Sequence, residues 1–168
     1  MDPGYAGTVL VIDLASHTVR RELTSVYAER FLGGRGLAAK LYWDSVPSDA
    51  HPLDPENILV FATGPLAGLS VIGGSRWQVC AKSPAVQPAS FCYGNFGGTW
   101  GAELKLAGYD AVVVTGKATG PVFLCIDGAE VSLKDASHLW GMGAVRTRHA
   151  LKDELGHSVR IVAIGPAG

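Results

Sequence analysis

Apolar and polar positions along this chain follow two periods, and the switch between them predicts the elements. Residues 7–14 and 19–23 are rich in β-branched and other apolar residues, separated by Ala15-Ser16-His17, which predicts a hairpin. Residues 26–31 read as a short helix, broken by Gly33-Gly34-Arg35-Gly36. A second helix is expected over 37–46, with Leu37, Ala38, Leu41 and Tyr42 on one face and Pro47 ending it. After a polar, proline-bearing stretch (48–57), strands are expected at 58–63 and 77–81. Residues 90–98 read as irregular and glycine-rich, and 100–107 as a short helix stopped by Gly108. A second unit is expected to open with strands at 111–115, 121–126 and 130–133, with Asp127-Gly128 a hairpin turn signal. A helix over 142–155 would place Ala144, Arg148, Leu151 and Leu155 together, and 160–164 would be the last strand. Strands that are many, adjacent and hairpin-linked, with few helices, indicate an α+β fold rather than alternating βαβ units.

The order of elements repeats. Residues 58–68 (ILVFATGPLAG) and 160–168 (RIVAIGPAG) are both apolar strand-like runs entering a Gly-Pro turn, each preceded by a strand pair and an amphipathic helix. The first copy continues into an arginine-bearing strand, SRWQVCAKSP at 75–84; the second does not. The expectation is therefore two related strand–helix–strand units forming mixed sheets, the second truncated and the domain incomplete at its C-terminus. A final strand without its neighbour would expose unpaired backbone groups, so self-association of the isolated chain is expected.

Composition narrows the function classes. The 168 residues are 48% apolar, enough for a real core, and no apolar run approaches the length of a membrane span. The formal charge of −1 is scattered, which argues against broad nucleic-acid binding. The N-terminus, MDPGYAG, lacks a basic-then-apolar leader pattern, so a cytoplasmic location is expected. The three cysteines, Cys80, Cys92 and Cys125, contain no C-x-x-C pair. They cannot supply the four thiolates that an iron–sulfur cluster usually needs. Cys80 and Cys125 lie in apolar runs and read as core residues. The five histidines are dispersed without metal-ligand spacing.

Three glycine-rich features carry candidate chemistry. Gly34 to Ala39 fits G-x-G-x-x-A, but a helical segment precedes it where the dinucleotide fingerprint requires a strand. A helix break, with glycines letting the helix lie close to a sheet, fits better. Gly73-Gly74-Ser75-Arg76 places an arginine at the start of a strand, where its fork suits a phosphate or a planar polar ring; a solvated strand-end arginine is the ordinary alternative. Gly94-Asn95-Phe96-Gly97-Gly98 can form an anion-binding concavity of backbone amides, or an ordinary turn. Both loops flank one strand region, and together they suit a phosphate-bearing ligand. Asp110, Asp127 and Asp135 read as turn formers, and no nucleophile–base pair or carboxylate pair stands out.

The motifs FLGGRGLAAKL (31–41), DPENILVFATGPL (54–66), GSRWQVCAKSP (74–84), NFGGTWGAELKLAGY (95–109), DAVVVTGK (110–117), DASHLWG (135–141) and IGPAG (164–168) resemble, in order and spacing, the N-terminal domain of the aldehyde ferredoxin oxidoreductases. These are tungsten-pterin enzymes. The resemblance implies oxidation of aldehydes to carboxylates, with electrons passing through a [4Fe-4S] cluster to ferredoxin. It implies a tungsten (or molybdenum) bis-pyranopterin whose phosphates share a magnesium ion. Arg76 matches the arginine between pterin and cluster. Asn95 matches the asparagine whose backbone carbonyl helps hold the magnesium, and Gly97 a glycine whose backbone approaches the pterin phosphate. Cluster ligands and proton-transferring residues would lie outside this chain, which alone should neither oxidise aldehydes nor bind a cluster. Its partners would be the remaining domains or a companion subunit, with ferredoxin for the complete enzyme and a homodimer as a candidate assembly; neither nucleic acid nor membrane is expected. The alternatives are a relative that reduces an aromatic acyl-CoA thioester and a stand-alone, non-catalytic pterin-binding or scaffold protein. A downstream C-x-x-C-x-x-x-C coding segment would separate the enzymes from the scaffold.

Overall fold

The structure, a computed structural model, describes residues 3–69 and 72–166. The fold is α+β. Six strands form one mixed sheet in the order β2-β1-β6-β3-β4-β5: β1 (Thr8–Asp13), β2 (Thr18–Leu23), β3 (Leu59–Thr63), β4 (Trp77–Ser83), β5 (Ser90–Phe96) and β6 (Ala111–Thr115). Only β1 and β6 run parallel; every other neighbouring pair is antiparallel. Val9, Leu10, Val11 and Ile12 are all buried because β1 is covered on both faces. On one face, helix α2 (Gly34–Ser45) packs Leu37, Ala38 and Leu41 against Val9, Val11, Val60 and Cys80, with α1 (Ser25–Phe31) beside it. On the other, Leu10, Ile12 and Val112 meet α3 (Trp100–Leu106) and a separate hairpin of β7 (Val122–Asp127) and β8 (Glu130–Asp135). That hairpin is sandwiched. Leu124 and Leu133 face the main sheet, while Phe123, next along β7, faces Leu139 and Leu151 of the third core cluster. Leu151 belongs to α4 (Ala144–Leu155).

The predicted hairpin, both early helices and the helix stop at Gly108 are all present. The glycine-rich helix start also acts as expected: a Cβ on Gly33 would stand 3.0 Å from the Thr63 carbonyl, so glycine lets α2 enter close to β3. The order hairpin, helix, extended segment recurs in β7–β8, α4 and residues 157–166, but several expectations require correction. Residues 111–115 do not open the second unit. They form β6, inserted between β1 and β3 of the first sheet, because Val112–Val114 suits a strand buried on both faces. Residues 90–98 are not irregular: Ser90–Phe96 is a strand paired through seven residues with β4, aromatic and polar side chains outweighing its one glycine. Residues 160–164 join no ladder among the described residues, though their exposure alternates as in a strand. On α4 the inward residues are Ala150, Leu151 and Leu155, while Ala144 and Arg148 are exposed.

Asp110 is the largest departure from its sequence reading. It is not a turn former at the surface but 1% exposed, at the start of β6. Its carboxylate accepts bonds from the Ala6 N–H (3.0 Å), the Gly7 N–H (2.8 Å), the Thr24 hydroxyl (2.7 Å) and the Lys105 ammonium. Its carbonyl accepts from both the N–H and the hydroxyl of Thr63. One residue thus joins the entry to β1, the start of α1, the end of α3 and the end of β3. Burial by itself would raise the Asp110 pKa. The hydrogen bonds from Lys105, Thr24 and Ala6, with the Lys105 charge, outweigh it and hold the carboxyl below its ordinary value.

Candidate functional site: the glycine-loop end of β4 and β5

The Asp110 hub anchors the edge on which the sequence-predicted site residues meet. Thr63, held by Asp110, is the register partner of Trp77, which in turn pairs with Phe96. Arg76 immediately precedes β4 and Gly97 immediately follows β5, so the register brings them side by side. A Cβ on Gly97 would lie 3.8 Å from Nη1 of Arg76. Arg76 is exposed, and its guanidinium has no hydrogen-bond or ion-pair partner among the described residues. Asn95 lies two residues before Gly97 and pairs with Gln78, whose Nε2 donates to Asn95 Oδ1 at 2.7 Å.

Sequence reasoning missed what shapes this edge. Trp77 is 4% exposed and donates its indole N–H to the Gly97 carbonyl at 3.0 Å. Its ring stacks on Phe96 at 4.6 Å and packs against Trp100 at 4.6 Å and Phe61 at 6.3 Å. Gly101 makes the Trp77–Trp100 approach possible, since a Cβ there would come within 3.0 Å of the Trp77 side chain. The glycine loop is therefore a turn built on a four-ring aromatic cluster. The available signal was the concentration of Trp77, Phe96 and Trp100 around the glycines. Nearby, the Arg35 guanidinium at the start of α2 lies 4.3 Å over the Tyr93 ring, tying that helix to β5.

The cysteines divide by burial. Cys80 faces the α2 side of the core, and burial, with a lesser contribution from Cys92, pushes its thiol up to about 11. Cys92 is exposed on β5, and Cys125 is half-buried on β7 rather than fully in the core. No helix among the described residues is long and apolar enough to cross a membrane.

The sequence profile of the aldehyde ferredoxin oxidoreductase N-terminal domain matches residues 9–168. The chain belongs to the aldehyde ferredoxin oxidoreductase family. It is 41% identical over 167 residues to the tungsten-containing aldehyde ferredoxin oxidoreductase of Pyrococcus abyssi (strain GE5 / Orsay), covering 98% of this chain and 27% of that enzyme. To the aliphatic sulfonate oxidoreductase WOR-like subunit of Pyrococcus furiosus it is 34% identical, covering 93% of this chain and 25% of that subunit. In three dimensions it matches the active-site complex BamBC of benzoyl coenzyme A reductase, in complex with 1,5-dienoyl-CoA. That match has a TM-score of 0.88 and 40% identity, covering 92% of this chain and 24% of the other. The chain thus spans about a quarter of the length of the family members it matches, and corresponds to their N-terminal domain.

Proposed function

We propose that residues 1–168 seat the cofactor of a tungsten (or molybdenum) bis-pyranopterin oxidoreductase that converts aldehydes to carboxylates. The supporting observation is the convergence of Arg76, Asn95 and Gly97 at one end of the β4–β5 pair. The donor set fits such a group: a guanidinium without a partner among the described residues stands beside the Gly97 backbone, two residues from Asn95. In this reading Arg76 donates its fork to the cofactor, the Asn95 carbonyl contributes to a bridging magnesium ion, and Gly97 meets a phosphate. When bound, the metal centre supplies the two-electron redox chemistry. The chain's own residues hold and orient it, and the aromatic cluster under Trp77 keeps the loop in place. The remaining domains or a companion subunit supply the [4Fe-4S] ligands and the proton-transferring groups, with ferredoxin as electron acceptor.

A second reading, reduction of an aromatic acyl-CoA thioester, rests on the match to the benzoyl coenzyme A reductase complex, whose 40% identity is close to the 41% shared with the Pyrococcus abyssi aldehyde ferredoxin oxidoreductase. The test is anaerobic expression, with tungstate, of a protein carrying this domain. Tungsten and pterin should copurify, and aldehyde-dependent reduction of a viologen dye should exceed dye-dependent reduction of benzoyl-CoA. The reverse order of activities would favour the second reading. Absence of both metal and pterin would leave the non-catalytic scaffold.

A further inference from the structure

Helix α2 stops before the end of the sheet that it covers. Val46 leaves it in an extended conformation (φ −110°, ψ 121°), because Pro47 disfavours helical geometry in the residue before it. The gap is a cleft of about 340 Å3 at the C-terminal ends of the parallel pair β1 and β6. It lies at the opposite end of the sheet from Arg76: Ile58 precedes β3, whose far end, Thr63, pairs with Trp77. Val11, Leu41, Ile58 and Val113, all buried, form an apolar floor. The loop 47–57 walls one side and is tied down. Lys82 donates to the Ser48 and Ala50 carbonyls at 3.1 and 2.6 Å, and Asn57 donates to the Pro52 carbonyl at 2.7 Å. A wall already fixed costs little ordering when a ligand binds. The charged groups at the cleft are Arg20, Glu22 and Glu56. Arg20 and Glu22 stand 3.5 Å apart and offset each other. Glu56 has no hydrogen-bond or ion-pair partner among the described residues, so the lining carries one unbalanced negative charge. The Tyr27 hydroxyl also lacks a hydrogen-bond partner there. Burial, then the charges of Glu22 and Asp44, push that hydroxyl above its ordinary pKa, against a weaker effect of Lys40. The negative field that disfavours a phenolate at this point favours a cation.

We infer that this cleft binds a small organic ammonium ion, which lays its apolar body on the aliphatic floor and donates its N–H groups to Glu56 and the Tyr27 hydroxyl. The volume lies at the lower end of the small-molecule range, room for one ring or a short aliphatic chain. A neutral ligand of the same shape leaves the Glu56 charge unmatched, and a carboxylate meets it with the same sign. The site shares no residue with the cofactor edge, and neither claim needs the other.

The test is titration of the full chain with benzylammonium at low ionic strength, followed by calorimetry and by the methyl shifts of Val11, Leu41 and Val113. Benzyl alcohol and benzoate serve as the neutral and anionic counterparts of the same ring. Benzylammonium should move those methyls and bind more tightly than either counterpart. A carboxylate near 4 Å from an ammonium in water contributes about fivefold in affinity. Glu56→Gln, at an exposed loop position, should therefore weaken benzylammonium about fivefold and leave benzyl alcohol unchanged. Tyr27→Phe keeps the ring and should weaken it about twofold to tenfold. Glu130→Gln, on β8 and outside the cleft, and Arg76→Gln, at the cofactor edge, should both bind as wild type does. Absent methyl shifts in wild type, benzyl alcohol or benzoate bound as tightly as benzylammonium, or full affinity in Glu56→Gln would overturn the inference. So would an equal loss in Glu130→Gln, which would mean diffuse attraction of a cation rather than a site.

Discussion

Replacing Asp110 with asparagine should be among the most destabilising single changes in this domain. The wild-type carboxylate accepts four hydrogen bonds, from Ala6, Gly7, Thr24 and Lys105, and is 1% exposed. Asparagine keeps one acceptor oxygen and turns the other into an NH2 that points at existing donors. It also leaves the Lys105 ammonium, whose side chain is 10% exposed, without its counter-charge. Breaking a buried pair from one side costs about 3–5 kcal/mol, a large share of the ~5–15 kcal/mol that holds a typical domain together. With a urea m-value of about 2 kcal/mol/M, the unfolding midpoint should fall by roughly 2 M. Because the folded pKa of Asp110 is lowered, its stabilisation is present above the unfolded carboxylate value of about 3.9 and is lost as pH falls through the folded value. The gap between wild type and variant should therefore be full at pH 7 and narrow below about pH 4. A midpoint shift under about 0.3 M at pH 7, or a gap that does not narrow in acid, would refute the hub.

Two further changes probe the site edge and the core. Trp77→Phe keeps a ring in the aromatic cluster but loses the bond to the Gly97 carbonyl, so it should cost about 1 kcal/mol, against about 3–5 kcal/mol for Trp77→Ala; no measurable cost for Trp77→Phe by thermal unfolding would mean the indole N–H does not hold the loop. Maleimide at neutral pH should label the exposed Cys92 in the native chain, and Cys80 only after denaturation, since burial removes access and pushes the Cys80 thiol up to about 11; comparable native labelling of both by mass spectrometry would contradict the packing.

The parts legible in the sequence were those set by local pattern. The β1–β2 hairpin, the α2 face of Leu37, Ala38 and Leu41, and the helix before Gly108 all follow from periodicity and punctuation. Arg76 and the Asn95–Gly97 loop were legible as neighbours of one strand region, but the antiparallel β4–β5 pairing that joins them at one end was not. What the sequence hid was long-range. Residues 111–115 look the same whether they begin a second sheet or enter the middle of the first, and only the parallel register with β1 decides. Asp110 sits two residues after the glycine stop at Gly108, which locally signals a turn, while its partners Ala6, Gly7 and Thr24 lie more than 80 residues away. The strand Ser90–Phe96 was masked by Gly94, although its alternating aromatics were visible.

The cofactor-seating role is tested most directly by tungsten and pterin stoichiometry in a holoenzyme carrying this domain, comparing wild type with Arg76→Ala and Arg76→Lys. Metal would be measured by mass spectrometry and pterin by the fluorescence of its oxidised form. Loss of a charge-assisted contact costs about 1.5–3 kcal/mol, so after dialysis the alanine variant should retain clearly less of both. Lysine should restore only part, because a point charge does not reproduce the guanidinium fork. Full tungsten and pterin content in Arg76→Ala, with an unchanged cluster redox potential, would contradict the assignment of this edge to the cofactor.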